Sequence, residues 1–187
     1  GLSDNYPRVM LPREDGGVYI GHAGGLDHWH QGRTHAVSIG VPSSSVLSLA
    51  DARDGGLWVG TYDQGVVYLP PDHDVARVRI IDSDDGLPSH HIRGLWEEAD
   101  GRLWVGTTNG LLRLDPDGGR ELIDSDDGLP GNFIRGLVPA RGGGLWIATT
   151  SGMARLHADG RIQAWNVDSG FPGIGSFDFL EEQDGDL

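Results

Sequence analysis

The octapeptide IDSDDGLP occurs at residues 81–88 and again, letter for letter, at residues 123–130. From the glycine of each copy onward, GLPSHHIRGLWEEADGRLWVGTTNG at 86–110 aligns without a gap with GLPGNFIRGLVPARGGGLWIATTSG at 128–152. The two copies start 42 positions apart. Self-similarity at a period of this size indicates a repeat architecture.

Further copies extend the register to the whole chain. The predicted repeats are 1-39, 40-85, 86-127, 128-169 and an incomplete 170-187. In the first four, an aromatic residue stands eighteen positions after the opening glycine: Tyr19, Trp58, Trp104 and Trp146. The variation in length falls in the segment after this aromatic, around PPDHDVAR in the second repeat. Such variation is typical of loops on the outside of a repeated unit.

Each repeat has the pattern of four short strands. In the third repeat, strands are predicted at 92–98, 103–107, 111–115 and 120–123, with glycine-containing turns between them. No repeat carries an apolar stripe of helical period, which argues against leucine-rich and ankyrin repeats. The sequence therefore predicts an all-β fold, a β-propeller built of four-stranded antiparallel blades of about 42 residues. The DSDDGLP segment is then the connector from the outer strand of one blade to the inner strand of the next.

The fifth copy keeps the register through Asp184 and stops at Leu187, one residue before its expected Trp. We therefore expect a single partial propeller over residues 1-187, with four blades and the start of a fifth, cut from a ring of seven. Open sheet edges and uncovered apolar faces recruit partners, so a homo-oligomer through these edges is a further expectation.

Composition excludes several classes of function. Cysteine is absent, and all 14 basic residues are Arg, so disulfides, thiolate metal sites and lysine chemistry have no residues to support them. The net charge of -14 opposes nucleic acid and anionic membrane surfaces as partners. No apolar run reaches the length of a membrane span, and we expect no direct membrane insertion by this chain.

The strand and turn motif of the repeat resembles the two-component regulator propeller repeat. The resemblance lies in DGRLWVGTTNGLLRLD at 100–115, DGGLWVGTYDQGVVYL at 54–69 and, less well, GGGLWIATTSGMARL at 142–156. The first repeat departs most, with Tyr19 in place of Trp and His22 in place of Thr. The resemblance implies the extracytoplasmic, periplasmic sensor region of a bacterial signalling protein, with a kinase or cyclase output domain outside this chain. It implies small ligands, often glycan fragments, and no enzymatic activity in the propeller.

Two repeating residue types are interpreted as structural. Trp58, Trp104 and Trp146 recur with the blade, so we expect them to be mostly buried between adjacent sheets. Thr61, Thr107 and Thr149 follow three residues later and are expected to hydrogen-bond within a turn.

The acidic connectors allow two interpretations. Carboxylates in a tight loop are ligands that calcium takes, but the spacing DSDDG at 82–86 lacks the alternation of a calcium loop. We therefore predict no metal and no cofactor here, and expect Asp82 and Asp124 to cap their own backbone turns.

An arginine recurs near the start of the inner strand. Arg8, Arg93 and Arg135 share this position, which Leu47 and Phe177 fill in the other repeats. These side chains either pair with the acidic connectors or form an electropositive patch suited to a carboxylate or sulfate. Connectors held by a rigid ring are where binding sites concentrate. The predicted ligand site consists of Arg93, Arg135, His90, His91, Asn132 and Phe133.

Two other functions remain open at this stage. The eight histidines allow a comparison with the virginiamycin B lyase type of propeller, which uses a channel-mouth His and magnesium. The histidines here share no blade position, and none has a carboxylate placed beside it as a recognisable base. A protein-interaction scaffold is the remaining alternative to a small-molecule sensor.

Overall fold

The computed structural model describes residues 1–170, and within them each of the first four repeats forms one sheet. The first sheet contains β1 (Pro7–Pro12), β2 (Val18–His22), β3 (Gly25–His30) and β4 (Arg33–Val37). The second contains β5 (Val46–Asp51), β6 (Leu57–Thr61), β7 (Val66–Leu69) and β8 (Arg79–Ile81). The third contains β9 (Ile92–Glu97), β10 (Leu103–Thr107), β11 (Gly110–Leu114) and β12 (Arg120–Ile123). The fourth contains β13 (Ile134–Pro139), β14 (Leu145–Thr149), β15 (Gly152–Leu156) and β16 (Ile162–Asn166).

Every sheet runs in chain order with antiparallel neighbours, so the prediction of four-stranded antiparallel blades is confirmed. We number the blades 1 to 4 from the N-terminus. The extra residues of the second repeat lie between β7 and β8, where Val75–Arg77 forms a 3-10 turn. The predicted fifth repeat, including Phe177, lies outside the described residues.

Tight turns join the strands of each blade. Two backbone hydrogen bonds close the turn between β9 and β10. Glu98 N donates to Arg102 O at 2.8 Å, and Gly101 N donates to Glu98 O at 2.9 Å. Gly101 has φ of 92°, a conformation that side chains with a Cβ rarely adopt. The Asp-Gly pairs of the sequence therefore mark the hairpins.

The inner strands β1, β5, β9 and β13 contact one another in that order around a central channel. The first residue of β9 and of β13, Ile92 and Ile134, is fully buried in the seam between two blades. A Cβ on Gly60 or Gly106 would lie 2.7 Å from the Cγ2 of Ile92 or Ile134, respectively. Glycine in the LWVGT motif thus allows the next blade to approach.

Three apolar clusters form the core, one in each seam. Trp58 lies in the seam between blades 2 and 3, and Trp104 in the seam between blades 3 and 4; both are buried as predicted. Trp146 is partly buried, and the repeat predicted to cover it lies outside the described residues, so its burial between two blades stays a prediction. Within residues 1–170 no blade follows blade 4, and the Trp146 ring packs against Trp165 at 5.7 Å within its own sheet.

The connectors and turns have the predicted local structure. Ser83–Asp85 and Ser125–Asp127 form 3-10 turns, which Asp82 and Asp124 cap through their side chains. Thr107 Oγ1 donates to Gly110 O at 2.9 Å and accepts from Asn109 N at 3.0 Å. The equivalent Thr61 and Thr149 bond in the same way, so the predicted capping by Asp82 and Asp124 and the predicted turn bonds of the threonines are confirmed.

Candidate functional site

The recurring arginines lie at a β-bulge near the start of each inner strand. Ile92 pairs with Thr107 and Gly94 with Gly106, so Arg93 is the extra residue of the bulge, and Arg135 is placed in the same way in β13. A bulge interrupts the alternation of side chains and re-aims one of them. Ile92 and Ile134 are buried in the seams, whereas Arg93 and Arg135 face the channel. Arg8 takes the same place on β1, and all three lie at the end of the strands that the connectors enter. We call this end the connector face.

These arginines line one concavity of about 340 Å³, together with apolar and small residues of the four inner strands. Its size falls within the range of small-molecule sites, about 300–1,000 Å³. In blade 2 the equivalent position is Leu47, which also lines the concavity. The arrangement places three guanidinium groups around a common space.

The electrostatics of Arg93 reflect this crowding. Burial lowers the pKa of the Arg93 guanidinium, and the positive charges of Arg135 and Arg8 lower it further, while Tyr62 acts in the opposite direction. The Nε atom of Arg93 is buried and has no hydrogen-bond partner among the described residues. At the connector, the basic partner of Asp85 is Arg120, with the two charged groups 3.9 Å apart. An anion entering the concavity would relieve the mutual repulsion of the arginines.

Aromatic rings flank the arginines. The Phe133 ring centroid lies 5.8 Å from Cζ of Arg93 and 5.1 Å from Cζ of Arg135, within the range of cation-π contacts. The rings of His91 and Tyr62 meet edge to face with centroids 4.1 Å apart. The structure therefore brings together Arg93, Arg135 and Phe133, with His91 beside them through Tyr62.

The other two predicted residues have different surroundings. His90 is exposed on the connector. Asn132 holds two segments in place: its backbone oxygen accepts from Gly110 N at 2.7 Å, and its Oδ1 accepts from Ser125 N at 2.8 Å. Since its side-chain oxygen is engaged, Asn132 positions the connector.

Two residues join the candidate site beyond the predicted set. Arg8 belongs to it by its shared repeat position, which the sequence makes visible. Tyr62 belongs to it through its contact with His91 and its influence on Arg93. It follows the turn residue Thr61 directly, at a position occupied by Thr108 and Thr150 in the next blades. The sequence offered one signal for Tyr62, an aromatic residue at a position where the next two blades have threonine.

Blade 1 contains a buried polar cluster that has no counterpart in the other blades. Asp27 is fully buried and accepts from the amide and hydroxyl of Ser3, both at 2.6 Å. The Nε2 of His22 lies 3.6 Å from Asp27 Oδ2. The equivalents of Asp27 in the other blades are the buried apolar residues Val67, Leu112 and Ala154. The cluster fastens the N-terminal connector to its blade.

Two features are absent from residues 1–170. In this part of the chain, no three His, Asp or Glu side chains are grouped so that they could hold a metal ion. Within the same residues, no helix is long and apolar enough to cross a membrane.

Four-stranded blades around a channel define the fold as a β-propeller. Segments 40–63 and 128–151 match the family model of the two component regulator propeller. The chain therefore carries two component regulator propeller repeats. No curated protein sequence matches it significantly.

Solved structures share this fold. The extracellular domain of the hybrid two component system BT3049 from B. thetaiotaomicron is similar with a TM-score of 0.82 and 20% identity, over 98% of this chain and 26% of that one. The corresponding domain of BT4673 from the same organism has a TM-score of 0.73 and 21% identity, over 88% and 22%. Virginiamycin B lyase from Staphylococcus aureus has a TM-score of 0.69 and 17% identity, over 88% and 56%. The chain thus spans about a quarter of the length of the two extracellular domains.

Proposed function

We propose that this chain is a ligand-sensing propeller module of a bacterial signal-transduction protein, located outside the cytoplasm. It binds a small acidic ligand at the connector face and passes the signal to a kinase or cyclase output domain outside this chain. The sensor role is supported by the repeat family and by the likeness to extracellular domains of hybrid two component systems. No chemical step is assigned to the propeller itself.

The observation that carries the proposal is the convergence of Arg8, Arg93 and Arg135 on one concavity in a protein of net charge -14. Burial and the positive charges of Arg135 and Arg8 disfavour the charged form of Arg93, and an anion in the concavity would favour it. A carboxylate or sulfate suits this place, because its oxygens match the paired N–H groups of a guanidinium. The Phe133 ring provides an apolar wall beside the charged group.

A glycan-derived acid fits both features. A uronic acid or a sulfated sugar combines one anionic group with a ring whose C–H face can lie on Phe133. The affinity is expected to fall with increasing salt concentration, because the arginines are partly exposed to solvent and their charges are screened.

The test uses glucuronate and inorganic sulfate as probes and glucose as the uncharged counterpart of glucuronate. A ligand that binds the folded state raises the unfolding temperature progressively with its concentration. We expect such a rise with glucuronate or sulfate and none with glucose. In the variant Arg93→Gln/Arg135→Gln, affinity for the anion should fall at least about tenfold, since charge-assisted hydrogen bonds contribute about 1.5–3 kcal/mol each.

Arg161→Gln is the matched control, because Arg161 is exposed at the opposite end of blade 4, outside the concavity. It should bind as the wild type does. An anion-dependent stabilisation that survives the double substitution would place the anion elsewhere and contradict the proposal. If neither anion stabilises the wild type, the acidic-ligand assignment is wrong and the scaffold alternative gains support.

A further inference from the structure

A second concavity lies in the seam between blades 3 and 4, at the end of the strands opposite the connector face. We call it the turn-face groove. It has a volume of about 480 Å³, and its chemistry is set by six residues. These are Trp96, Trp104, Glu98, Arg102, Arg113 and His157.

The preceding seam is bridged at the same level. Glu97, the last residue of β9, reaches across to blade 2, where its Oε2 accepts from Trp58 Nε1 at 2.6 Å and from Arg53 N at 3.1 Å. The seam between blades 1 and 2 is bridged in a related way, by an ion pair from Arg13 to Asp51, the last residue of β5. An acidic residue at the end of the inner strand thus ties each of these two seams together.

Blade 4 lacks this bridge. The residue equivalent to Asp51 and Glu97 is Pro139, whose ring carries no acceptor. The following turn contains three consecutive glycines, 142–144, all with positive φ, so no side chains fill the space. A Cβ on Gly144 would lie 2.1 Å from Leu156 O, which shows how closely this turn packs against β15. Gly143 and Gly144 of this turn line the groove on the side of blade 4.

Blade 3 departs from the repeat on the other side of the groove. Trp96 stands where blade 2 has Ala50 and blade 4 has Val138, directly opposite Trp104 on the neighbouring strand. Trp96 is half-buried and packs against the apolar cluster of this seam. Glu98 likewise replaces an alanine, Ala52, of blade 2. An aromatic wall and a carboxylate therefore occur in the seam that, of the three formed by residues 1–170, lacks such a bridge.

The charges of the groove are already paired with one another. Glu98 accepts from Trp104 Nε1 at 2.9 Å and pairs with Arg102 at 3.1 Å. Arg102 also pairs with Asp100 at 2.7 Å, and Arg113 pairs with Glu121 at 2.5 Å. A charged ligand would have to displace one of these partners. An uncharged ligand with hydroxyl groups can donate to the remaining carboxylate lone pairs without breaking any pair.

One polar atom of the groove lacks a partner. The Nε2 of His157 is buried and has no hydrogen bond among the described residues. Buried polar groups are nearly always hydrogen-bonded. A hydrogen bond from a ligand hydroxyl to this nitrogen would therefore satisfy a group that has no partner in the unliganded protein.

We propose that the turn-face groove is a second binding site, for an uncharged saccharide of one or two rings. The apolar face of a sugar ring stacks on the Trp96 indole, and its hydroxyls bond to Glu98, Arg102 and His157. The groove lies at the opposite end of the strands from the arginines of the connector face. The proposal therefore does not depend on the acidic-ligand site.

The test is a titration of the folded protein with maltose, lactose and N,N-diacetylchitobiose, followed by tryptophan fluorescence and by saturation-transfer NMR. We expect saturable binding of at least one of them below about 10 mM. Trp96→Ala should weaken that binding at least about tenfold, because it removes the stacking surface. Pro139→Glu, which introduces the acidic residue of blade 3, should also weaken it by placing a carboxylate in the groove.

Trp29→Ala is the matched control, since Trp29 is an exposed tryptophan of blade 1, and it should leave the affinity unchanged. Circular dichroism establishes that each variant is folded. The proposal is wrong if none of the three saccharides binds, or if binding persists unchanged in both Trp96→Ala and Pro139→Glu. Binding of choline in place of the saccharides would likewise overturn the assignment to an uncharged ligand. Unchanged saccharide binding in Arg93→Gln/Arg135→Gln would separate this site from the connector face.

Discussion

The indole Nε1 of Trp58 donates a 2.6 Å hydrogen bond to Oε2 of Glu97 across the seam between blades 2 and 3. The bond joins two residues from different repeats, and the same carboxylate accepts from Arg53 N. It fastens the polar end of a buried aromatic ring whose body lies in the apolar cluster of the seam. The seams between blades 1 and 2 and between blades 2 and 3 are thus apolar interfaces closed at their edge by polar contacts.

Removing this carboxylate should destabilise the seam. Glu97→Ala leaves the indole N–H without its partner, and an unsatisfied buried donor costs about 1–3 kcal/mol of unfolding free energy. Glu97→Gln keeps an acceptor and should cost less. Urea denaturation measures both. Glu121→Ala is the control, because Glu121 is an exposed partner of Arg113 and its loss should cost about 0–1 kcal/mol. Equal losses for Glu97→Ala and Glu121→Ala would contradict this role of Glu97.

The tryptophans of successive blades should differ in their contribution to stability. Trp104 is 4% exposed within its seam, whereas Trp146 is half-buried. Trp104→Ala should therefore lower the unfolding free energy by about 3–5 kcal/mol, as for other large core truncations. Trp146→Ala should have a smaller effect, measured in the same denaturation experiment. A larger loss for Trp146→Ala would mean that its ring is more deeply covered than the described residues indicate.

The glycine of the LWVGT motif should resist even the smallest enlargement. In Gly106→Ala, the new Cβ would lie 2.7 Å from Cγ2 of Ile134, so one blade has to move or Ile134 has to leave its rotamer. Overpacking of this kind costs about 1–3 kcal/mol. The same repeat position in blade 4 is already alanine, Ala148, and Ala148→Gly should cost only about 0.5–1 kcal/mol. Thermal unfolding of the two variants provides the comparison, and a neutral Gly106→Ala would refute the close approach.

Mild acid should weaken the seam between blades 1 and 2. Burial lowers the pKa of His28 below its usual 6.5, and the nearby charge of His35 lowers it further. The pKa of His73 is lowered by the same two causes, first by burial and then by the charge of His35. Below pH 6.5 the unfolded chain therefore binds more protons at these residues than the folded chain. Stability is present above pH 6.5 and is lost as the pH falls toward the lowered values.

The measurement is the unfolding free energy between about pH 7 and pH 5.5, near the ordinary histidine pKa. His28→Gln removes one of the titrating groups, which stacks on Tyr19 at 4.5 Å in the wild type, and should reduce the pH slope. His90→Gln is the control, since His90 is an exposed connector residue. An unchanged slope in His28→Gln would exclude this histidine as the source.

Much of the architecture was predictable from local sequence. The spacing of the Trp, the Asp-Gly turns and the duplicated connector predicted four strands per repeat, because hairpins depend on residues within a few positions of each other. For the same reason the capping by Asp82 and the turn bonds of Thr107 were predicted correctly. These contacts lie within one repeat and recur with it.

The candidate sites depended more on the arrangement of the blades. Repeat position identified Arg93 and Arg135, but that both line one concavity depends on the packing of β9 against β13 and on the bulge in each strand. Asn132 was predicted as a ligand residue, and the structure uses its amide oxygen to hold Ser125. The place of Tyr62 in the site and the turn-face groove were not predicted. The contact of Tyr62 with His91 joins blades 2 and 3, and the groove is lined by residues of blades 3 and 4.

The sequence by itself determined the repeat, the strands, the turns and the acidic surface, since each follows from the type and spacing of neighbouring residues. Tertiary structure alone decided which departures from the repeat come together. Ser3, His22 and Asp27 meet in one buried cluster, and Gly143 and Gly144 of blade 4 face Trp96 of blade 3 across the turn-face groove. The physical reason is that blades pack face to face, so a change in one repeat acts through the side chains of the next. The residues in contact are about one repeat apart in the sequence, and patterns among neighbouring residues do not predict such contacts.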